Sequence, residues 1–535
     1  MKKIAFAFAF AAFVSCTSTE EEPEGSSSGG NNDGDSSSSI GSGDGDSSSG
    51  GGDGNSSSGG GDGNSSSSVG GDGNSSSSNV SGGNSSSSVG GGNSSSSVGG
   101  GNSSSSGGGN SSSSSGGGNS SSSGGSSPNL WTGFPFDNSN ENLPASPNCP
   151  NPDKAIEITY NNGGAPEINN PYENTVSVEK NGENVIVNLQ SSGQEERNLR
   201  LSGTARDGSL KVRGYLSRVM LYMNGVNITK NSGPAINIQD GRRVTVCLVS
   251  GKENYLNGTS AAPQGDEQAK GAFFSEEKLY FTGNGSLEVK ARSSGDPNRN
   301  DHAIVVDNDF EIDNGKIIIS EAAGDGIHAN DKIEIKGGVI KIASKGDAIQ
   351  SERFGTQIDP SVVISGGKIL AKTTGVKSHG ITSESPISIK NNAIVQISVE
   401  GNGSKGIKST RWAEIFGGTI KIKTSGDRDG NDADSSTAAG IKVGNDDNLF
   451  DLFIEGGSIT IQSTGSKAKG INVSNDIDMK GGNVDIEAED DGIKVHGALK
   501  IKGGSISVSS RRSDDIDGEV TQTGGTINGQ SNYKK

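Results

Sequence analysis

A motif of about 22 residues recurs through the second half of this 535-residue chain. In its clearest copy, Gly324–Ile342, a Gly-Asp-Gly bend leads into a short strand, a turn, an alternating strand, a Gly-Gly corner and a second alternating strand. Apolar residues that alternate with a period of two are typical of β-strands with one buried side. Because the motif lacks the 3.6-residue period of a helix, it predicts an all-β fold.

An isoleucine that follows the bend marks each copy of the motif, at intervals of 22 to 34 residues. A basic period near 22 suits a right-handed parallel β-helix with three short strands per coil, whereas a β-propeller needs about twice that period. With Ile236 counted, about ten coils at ~4.8 Å predict a rod roughly 45–50 Å long within residues 153–530. The other marker isoleucines are Ile304, Ile327, Ile349, Ile381, Ile407, Ile441, Ile471, Ile493 and Ile516.

Residues 16–128 begin with Cys16 and then consist almost entirely of Ser, Gly, Asn and Asp. Such a sequence buries too little apolar surface to offset its conformational entropy, so we predict a disordered linker. A flexible chain of this length has a root-mean-square span of about 60 Å. Residues 129–152 are rich in proline, which predicts an irregular segment between the linker and the β-helix.

Residues 1–15 have the features of a secretory signal peptide: a basic start and an apolar run too short to span a membrane. The end of this run, Phe13-Val14-Ser15-Cys16, resembles a bacterial lipobox, with Phe13 where Leu is usual. The resemblance implies cleavage before Cys16, lipidation of that cysteine, and a chain held at the outer membrane or cell surface by its lipid. The alternatives are an ordinary signal peptide with an incidental cysteine, and a cytoplasmic protein with an apolar start.

The formal net charge of −18 argues against nucleic acid as a partner, since nucleic-acid binders are more often basic. Setting aside the eleven acids of the linker and the two lysines before it leaves −9 for residues 129–535. The folded part is therefore mildly acidic. Separately, we expect the protein to be a monomer.

The residues two positions before the markers form a column, because equivalent positions of successive coils stack about 4.8 Å apart. This bend column contains His302, Asp325, Asp347, His379, Lys405, Ala439, Lys469, Asp491 and Asp514. Carboxylates at that spacing repel, so they share a proton or bind a cation, and oxygen-rich turns nearby favour Ca²⁺. The candidate calcium ligands are Asp301, Asp325, Asp331, Asp347, Glu352, Asp490, Asp491, Asp514 and Asp515. The alternative is that Asp suits these bends because its side chain bonds the local backbone.

The residues one position after the markers should point outward, and several of them are lysines. This outward column contains Val305, His328, Gln350, Thr382, Lys408, Lys442, Asn472, Lys494 and Asp517. A basic stripe on an acidic domain would suit a polyanionic sugar chain such as a uronan, although solvated lysines that limit aggregation explain it equally well. The candidate carbohydrate-binding residues are Lys405, Lys408, Lys442, Lys469, Lys494 and Trp412. Tyr255 and Trp131 are further aromatic candidates, and packing is the alternative role for each aromatic.

Signals of catalysis are few. The chain has no GxSxG, P-loop or CxxC motif, and its four histidines lack metal-ligand spacing, so surface or bend positions suit them better. A lyase would need calcium carboxylates and a proton-abstracting base, for which Lys494 or Arg511 near Asp490 and Asp514 could serve. We assign no catalytic residue.

Two cysteines remain beyond Cys16. Cys149 and Cys247 would pair readily outside the cytoplasm. Cys247, however, lies in an apolar strand, where a buried free thiol is common. The sequence leaves both states open.

At the stretch Val219–Ile319 the sequence resembles a known family, through an ordered series of phrases. The phrases are VMLYMNGVNITKNSGPAINIQDGRRVTVCLVSGKENYL, AFFSEEKLYFTGNGSLEVKA, HAIVVDNDFEIDNGKIII and GDGIHANDKIEI. They are similar to the bacterial carbohydrate-binding-domain family, and the likeness extends over roughly residues 153–528. The resemblance implies a polysaccharide-lyase-like right-handed β-helix that binds calcium, cellulose and acidic pectin-type sugars. Lys405, Ala439 and Lys469 depart from its acidic bend motifs, which puts calcium sites in the central coils in doubt.

Together these features predict a surface lipoprotein whose β-helix attaches to plant cell-wall polysaccharide, with Ca²⁺ as the expected cofactor and no enzyme activity. A calcium-dependent pectate-type lyase is the first alternative. A structural or protein-binding adhesin is the second.

Overall fold

The computed structural model describes residues 149–190, 195–214, 218–239, 243–353, 359–430, 436–445 and 449–530. Within these ranges the chain forms 38 β-strands and no helix, which confirms the all-β prediction. The strands before the regular repeat are β1 (Ile156–Asn161), β2 (Gly164–Asn169), β3 (Val176–Asn181), β4 (Asn184–Leu189), β5 (Glu196–Ala205), β6 (Ser209–Arg213) and β7 (Arg218–Thr229).

The regular repeat follows at once. Its first fifteen strands are β8 (Ile236–Ile238), β9 (Arg243–Leu248), β10 (Glu253–Gly258), β11 (Gly271–Ser275), β12 (Lys278–Gly283), β13 (Ser286–Ala291), β14 (His302–Val306), β15 (Phe310–Ile312), β16 (Lys316–Ala322), β17 (Ile327–Ala329), β18 (Ile333–Ile335), β19 (Val339–Ser344), β20 (Ile349–Ser351), β21 (Val362–Ile364) and β22 (Lys368–Thr373). Its remaining strands are β23 (Ile381–Ser383), β24 (Ile387–Ile389), β25 (Ile394–Val399), β26 (Lys405–Ser409), β27 (Ala413–Ile415), β28 (Thr419–Thr424), β29 (Ala439–Val443), β30 (Leu452–Ile454), β31 (Ser458–Ser463), β32 (Lys469–Val473), β33 (Ile477–Met479), β34 (Asn483–Ala488), β35 (Ile493–Ile501), β36 (Ser505–Ser510), β37 (Ile516–Gln522) and β38 (Thr526–Asn528).

From β8 onwards each strand pairs in parallel with the equivalent strand of the next coil, which produces three faces. Face A contains β8, β11, β14, β17, β20, β23, β26, β29, β32 and the first parts of β35 and β37. Face B contains β9, β12, β15, β18, β21, β24, β27, β30, β33 and the second parts of β35 and β37. Face C contains β10, β13, β16, β19, β22, β25, β28, β31, β34, β36 and β38. The prediction of a parallel β-helix is confirmed.

The register places the marker isoleucines directly above one another on face A. Ile327, for example, lies between Ile304 and Ile349. One coil was missed from the sequence, because Phe273 holds the marker position between Ile236 and Ile304. An aromatic residue fills the interior position that isoleucine holds in the other coils, so the recurring isoleucine does not mark this coil.

The core is a continuous column of aliphatic side chains inside the rod. The marker isoleucines are almost fully buried, and each such side chain stabilises the fold by about 1.5–3 kcal/mol relative to exposure. Near the first coils the interior holds a ring cluster in which Phe281 lies 6.1 Å from Phe273 and 5.4 Å from Phe310. The glycine before the marker leaves no room for a side chain: a Cβ on Gly406 would lie 2.3 Å from the Cγ2 atom of Ile422.

Two antiparallel hairpins, β1–β2 and β3–β4, precede the parallel coils. A disulfide between Cys149 and Cys247 ties the segment before β1 to β9, with a Cα–Cα distance of 5.8 Å. The sequence left open whether these two cysteines pair, and in the structure they do. A cross-link over a separation of 98 residues limits the freedom of the unfolded chain and typically stabilises by about 2–4 kcal/mol.

The predicted signal peptide, Cys16, the linker 16–128 and most of segment 129–152, with Trp131, lie outside the described residues, so these predictions remain predictions. None of the residues that the structure describes belongs to a helix long and apolar enough to cross a membrane.

Candidate functional site

The bend column of face A is joined by a series of hydrogen bonds from backbone amides to side chains. The amide of Asp325 donates to Nδ1 of His302 (2.9 Å), and the amide of Asp347 donates to Oδ1 of Asp325 (2.7 Å). The amide of His379 donates to Oδ1 of Asp347, and the amide of Lys405 donates to Nδ1 of His379 (3.0 Å). Each side chain therefore accepts the amide of its successor one coil further on. We call this series the amide ladder.

The ladder sets the tautomers of two histidines. A backbone amide can only donate, so Nδ1 of His302 and Nδ1 of His379 must accept. When these rings are neutral, their proton is therefore on Nε2. Burial lowers the pKa of His379 well below its usual value, and the neighbouring Lys408 and Lys405 lower it further, so that ring is neutral at physiological pH.

Two imidazoles flank the carboxylate of Asp325. Its Oδ2 atom lies 3.0 Å from Nδ1 of both His302 and His328, and the two ring centroids are 4.7 Å apart. Burial raises the pKa of Asp325, but the two imidazoles outweigh it and hold the pKa well below the usual range. The hydrogen bond to the carboxylate comes from Nδ1 of His328, because Nδ1 of His302 accepts the amide of Asp325. Burial lowers the pKa of His328, but the hydrogen bond to Asp325 outweighs it, and the net pKa is raised. Both rings line a cleft of about 350 Å³ that also contains Glu352.

Two further members of the bend column have unusual proton affinities. Burial, together with the charge of Asp325, raises the pKa of Asp347 to about 7. Burial, together with the charges of Lys408 and Lys442, lowers the pKa of Lys405 to about 7. The ammonium of Lys405 donates to the carbonyl of the bend before it and to a serine hydroxyl of the next coil. Asp347 and Lys405 make the middle of face A sensitive to pH near 7.

The predicted calcium ligands do not gather into one cage. Asp301 accepts hydrogen bonds from the amide and hydroxyl of Ser260 (2.9 and 2.6 Å). Asp490 and Asp491 both accept from the ammonium of Lys469. Among the residues that the structure describes, the one group of three potential ligands within reach of a single ion is His302, Asp325 and His328. In that group Nδ1 of His302 already accepts an amide, so the donor set is a poor fit for a hard cation.

The other predicted ligands are dispersed. Asp515 accepts from the amides of Ser510 and Gln530 (2.6 and 2.9 Å). Glu352 is half exposed and lies 3.6 Å from Nε2 of His328. Asp325 and Asp347 belong to the amide ladder, and Asp331 and Asp514 complete the predicted set without joining a cluster among the described residues. Bonding of aspartate to backbone, which was the alternative explanation, accounts for Asp301, Asp325, Asp347 and Asp515.

The lysines of the predicted basic stripe lie in two kinds of position, outward on face A or largely buried in the bend column. Lys408 and Lys442 are directly adjacent in the outward column, and Lys494 lies two coils beyond, opposite Asn472 in the register. Lys405 is buried instead, and its role in carbohydrate binding stays a prediction.

The side chain of Lys469 is 12% exposed and its ammonium is paired with two carboxylates, so its predicted role in carbohydrate binding also stays a prediction. Lys494 donates to Asp517 (2.6 Å), and this hydrogen bond raises the pKa of the ammonium, which makes Lys494 unsuited to act as a base in a lyase. Arg511 pairs with Glu489 (3.0 Å).

Trp412 lies where the chain turns from face A to face B, immediately before β27. Its ring centroid is 6.5 Å from that of Phe453, and the guanidinium of Arg411 is 5.9 Å from the ring of Phe450. Sequence reasoning missed both phenylalanines, because a longer turn separates them from Trp412 along the chain. The strand register would have found them, since Ala413 pairs with Leu452. Tyr255, the other described aromatic candidate, lies on face C.

A family model for carbohydrate-binding domain-containing proteins matches residues 181–445 and 449–531, more than half of the chain. The chain belongs to the carbohydrate-binding domain family. The resemblance drawn from the sequence phrases is thereby confirmed, and the matched residues include face A from Ile236 onwards, with the amide ladder, Trp412 and the outward lysines.

One relative in this family comes from Acetivibrio thermocellus and is itself described as a carbohydrate-binding domain-containing protein. It is 32% identical over 123 residues, which are 22% of this chain and 40% of the relative, so the match spans less than half of that protein. A solved structure, described as the gadolinium derivative of the polysaccharide lyase-like protein from C. thermocellum, is 26% identical with a TM-score of 0.40. It covers 49% of this chain and 97% of its own.

Proposed function

We propose that this chain is a surface-anchored carbohydrate-binding protein whose β-helix attaches to plant cell-wall polysaccharide, with acidic, uronate-rich chains held on face A. The observation that carries the proposal is the adjacency of Lys408 and Lys442 in the outward column of a carbohydrate-binding domain. Two ammonium groups on neighbouring coils repel, and an anionic chain across them relieves that repulsion. The spacing of neighbouring strands, about 4.8 Å, brings both within reach of one such chain.

The test uses retention of the full chain on insoluble pectin and on cellulose. Lys408→Glu with Lys442→Glu should weaken retention on pectin at least tenfold, equivalent to about 1.4 kcal/mol. The matched control is Lys421→Glu with Lys423→Glu, which makes the same charge change on the outward positions of β28, a face C strand. Equal losses in both double variants would point to net charge rather than to face A. No retention of the unmodified chain on either glycan would favour a protein-binding adhesin.

Calcium dependence is part of the proposal and rests on the family resemblance. It does not rest on the geometry, because other groups of the protein already donate hydrogen bonds to Asp301, Asp325, Asp347, Asp490, Asp491 and Asp515. The same retention assay, run in chelator and in excess Ca²⁺, tests it. We expect calcium to raise both retention and melting temperature, since a ligand of the folded state at 100 times its Kd stabilises by about 2.7 kcal/mol. Identical melting in both buffers would show that calcium has no part in this domain.

The membrane anchor is likewise a proposal, supported by the lipobox-like Cys16 and the long linker after it. Detergent phase separation of the full chain expressed in a Gram-negative host tests it. The unmodified chain should enter the detergent phase and Cys16→Ser should remain in the aqueous phase.

A further inference from the structure

The edge at which face A turns into face B forms a continuous surface over five coils. We call it the corner track, and its residues are Arg411, Trp412, Phe450, Asp451, Asn475, Asp476, Gly497, Ala498 and Glu519. The register aligns these positions, because Leu452 pairs with Ile477 and Ile477 pairs with Leu499. Hydrogen bonds run along it: the amide of Asp476 donates to Asp451 (3.1 Å), and the amide of Ala498 donates to Asp476 (2.8 Å).

The first two coils of the corner track are aromatic. Trp412 and Phe453 are half-buried and lie edge to face across the turn, with ring centroids 6.5 Å apart. Phe450 is half-buried and packs partly against the core, and Leu449 beside it is 60% exposed. Large apolar side chains grouped at a surface, with a polar surround, are typical of a ligand-binding site rather than of a solvated edge. Aromatic rings of this kind present flat apolar faces against which the C–H face of a sugar packs.

The last coils of the corner track are polar and concave. β35 and β37 run through from face A to face B without a break, and the register shifts between Lys494 and Ala498. The shift opens a groove of about 610 Å³, lined by Asp476, Lys494, Val495, His496, Gly497, Ala498, Lys500, Asp517, Gly518 and Glu519. A β-bulge that re-aims side chains beside a binding site is a recurrent device in β proteins.

Charge within this groove is largely cancelled. Lys494 pairs with Asp517, and Lys500 pairs with Asp476. A carboxylate has about four acceptor sites, so one that is paired with an amine can still accept from a hydroxyl group. The groove therefore offers many donors and acceptors and little net charge, in contrast to the adjacent lysines of the outward column.

We propose that the corner track binds one uncharged polysaccharide chain that lies parallel to the rod axis, with sugar rings against Trp412 and Phe450 and sugar hydroxyls in the groove around His496. The inference rests on the proposed function and assigns it a second surface, separate from Lys408 and Lys442. The coil spacing of about 4.8 Å supports the orientation, because it is close to the length of one sugar unit in an extended chain. Successive sugars then meet equivalent positions of successive coils.

The test is calorimetric titration of the full chain with cello-oligosaccharides of increasing length. Affinity should rise with length up to on the order of five sugars, the number of coils in the track, and then level off. Trp412→Ala should weaken binding of the longest oligosaccharide at least tenfold, as expected for a central aromatic contact. His496→Ala should weaken it several-fold, and Trp412→Phe should retain most of the affinity with an unchanged melting temperature.

Two controls separate this inference from the function on which it rests. Tyr255→Ala removes an aromatic side chain from face C and should leave binding within twofold. Lys408→Glu with Lys442→Glu should spare cello-oligosaccharides while weakening oligogalacturonides.

Three results would overturn the inference. If Trp412→Ala and His496→Ala bind as the unmodified chain does, or if affinity is independent of length, the corner track is wrong while carbohydrate binding stands. If the unmodified chain binds neither cello-oligosaccharides nor oligogalacturonides, both the track and the proposed function fail.

Discussion

Along the bend column of face A, the coil at Asp325 and the coil at Asp491 use similar Gly/Asp-rich bends in different ways. Asp325 accepts the amide of the next coil and lies between two imidazoles. Asp491 accepts instead from the ammonium of Lys469 and the hydroxyl of Ser513. Backbone hydrogen bonds join neighbouring coils at both bends. The side chain of Asp325 adds a contact with a backbone amide, whereas the side chain of Asp491 adds contacts with other side chains.

The change between the two arrangements occurs at Lys405. Lysine has donors but no acceptor, so its side chain cannot receive an amide from the next coil. The amide of Ala439 donates instead to the carbonyl of Ser404 (3.2 Å). The next two members of the column, Ala439 and Lys469, also lack an acceptor, so the amide ladder ends at Lys405, although the strands on either side keep their register.

The largest expected effect comes from removing the centre of the ladder. Asp325→Ala deprives the amide of Asp347 of its acceptor and leaves His302 and His328 without their carboxylate. Breaking a buried charged network by removing one partner costs about 3–5 kcal/mol. Denaturant unfolding of the full chain measures this loss.

The matched control is Asp490→Ala, which removes a carboxylate of the second half while Asp491 still pairs with Lys469. We expect a cost below about 1 kcal/mol for this partly exposed group. Equal costs at the two positions would show that the ladder stabilises no more than an ion pair does.

The next effect is a minimum of stability near pH 7. The folded pKa of Asp347, about 7, is above its unfolded value, so the folded state binds the proton more tightly and stability falls as pH rises from about 4 to about 7. The folded pKa of Lys405, also about 7, is below its unfolded value, so stability falls as pH decreases from about 10.5 to about 7. Each limb should amount to roughly 1–3 kcal/mol.

Two variants assign the two limbs, with unfolding free energy measured from pH 4 to pH 10. Asp347→Asn keeps an oxygen that can accept the amide of His379 and should flatten only the acidic limb. Lys405→Met should flatten only the alkaline limb. A profile in which either variant alters both limbs would mean that the two groups titrate as one coupled unit.

The sequence was sufficient to predict the repeat, the three strands per coil and the members of both columns in every coil that an isoleucine marks, because Ile327 and its equivalents mark the register directly. It missed the coil of Phe273. It was insufficient to predict what Asp325 does. The sequence of a Gly-Asp-Gly bend is the same whether the carboxylate of its aspartate binds a cation, an ammonium group or an amide of the next coil. That outcome depends on the orientation of the bend, which the period does not specify.

The sequence predicted only one of the aromatic residues where face A turns into face B, for a related reason. Trp412 is visible as one of two tryptophans, but Phe450 and Phe453 follow an insertion that breaks the period. Only the pairing of Ala413 with Leu452 brings them together. Residues that meet across insertions are therefore the part of this site that repeat analysis cannot reach.

The smallest expected effect extends the ladder by one coil. Lys405→His would provide an Nδ1 acceptor for the amide of Ala439, as His379 does for the amide of Lys405. Lys405→Met removes the same buried amine without providing an acceptor, so the difference between the two variants isolates the new hydrogen bond. Thermal unfolding at pH 8, where the new imidazole is neutral, should find the histidine variant more stable by about 0.5–1.5 kcal/mol. If the methionine variant is equally stable, the hydrogen bonds of the amide ladder do not stabilise the packing of successive coils.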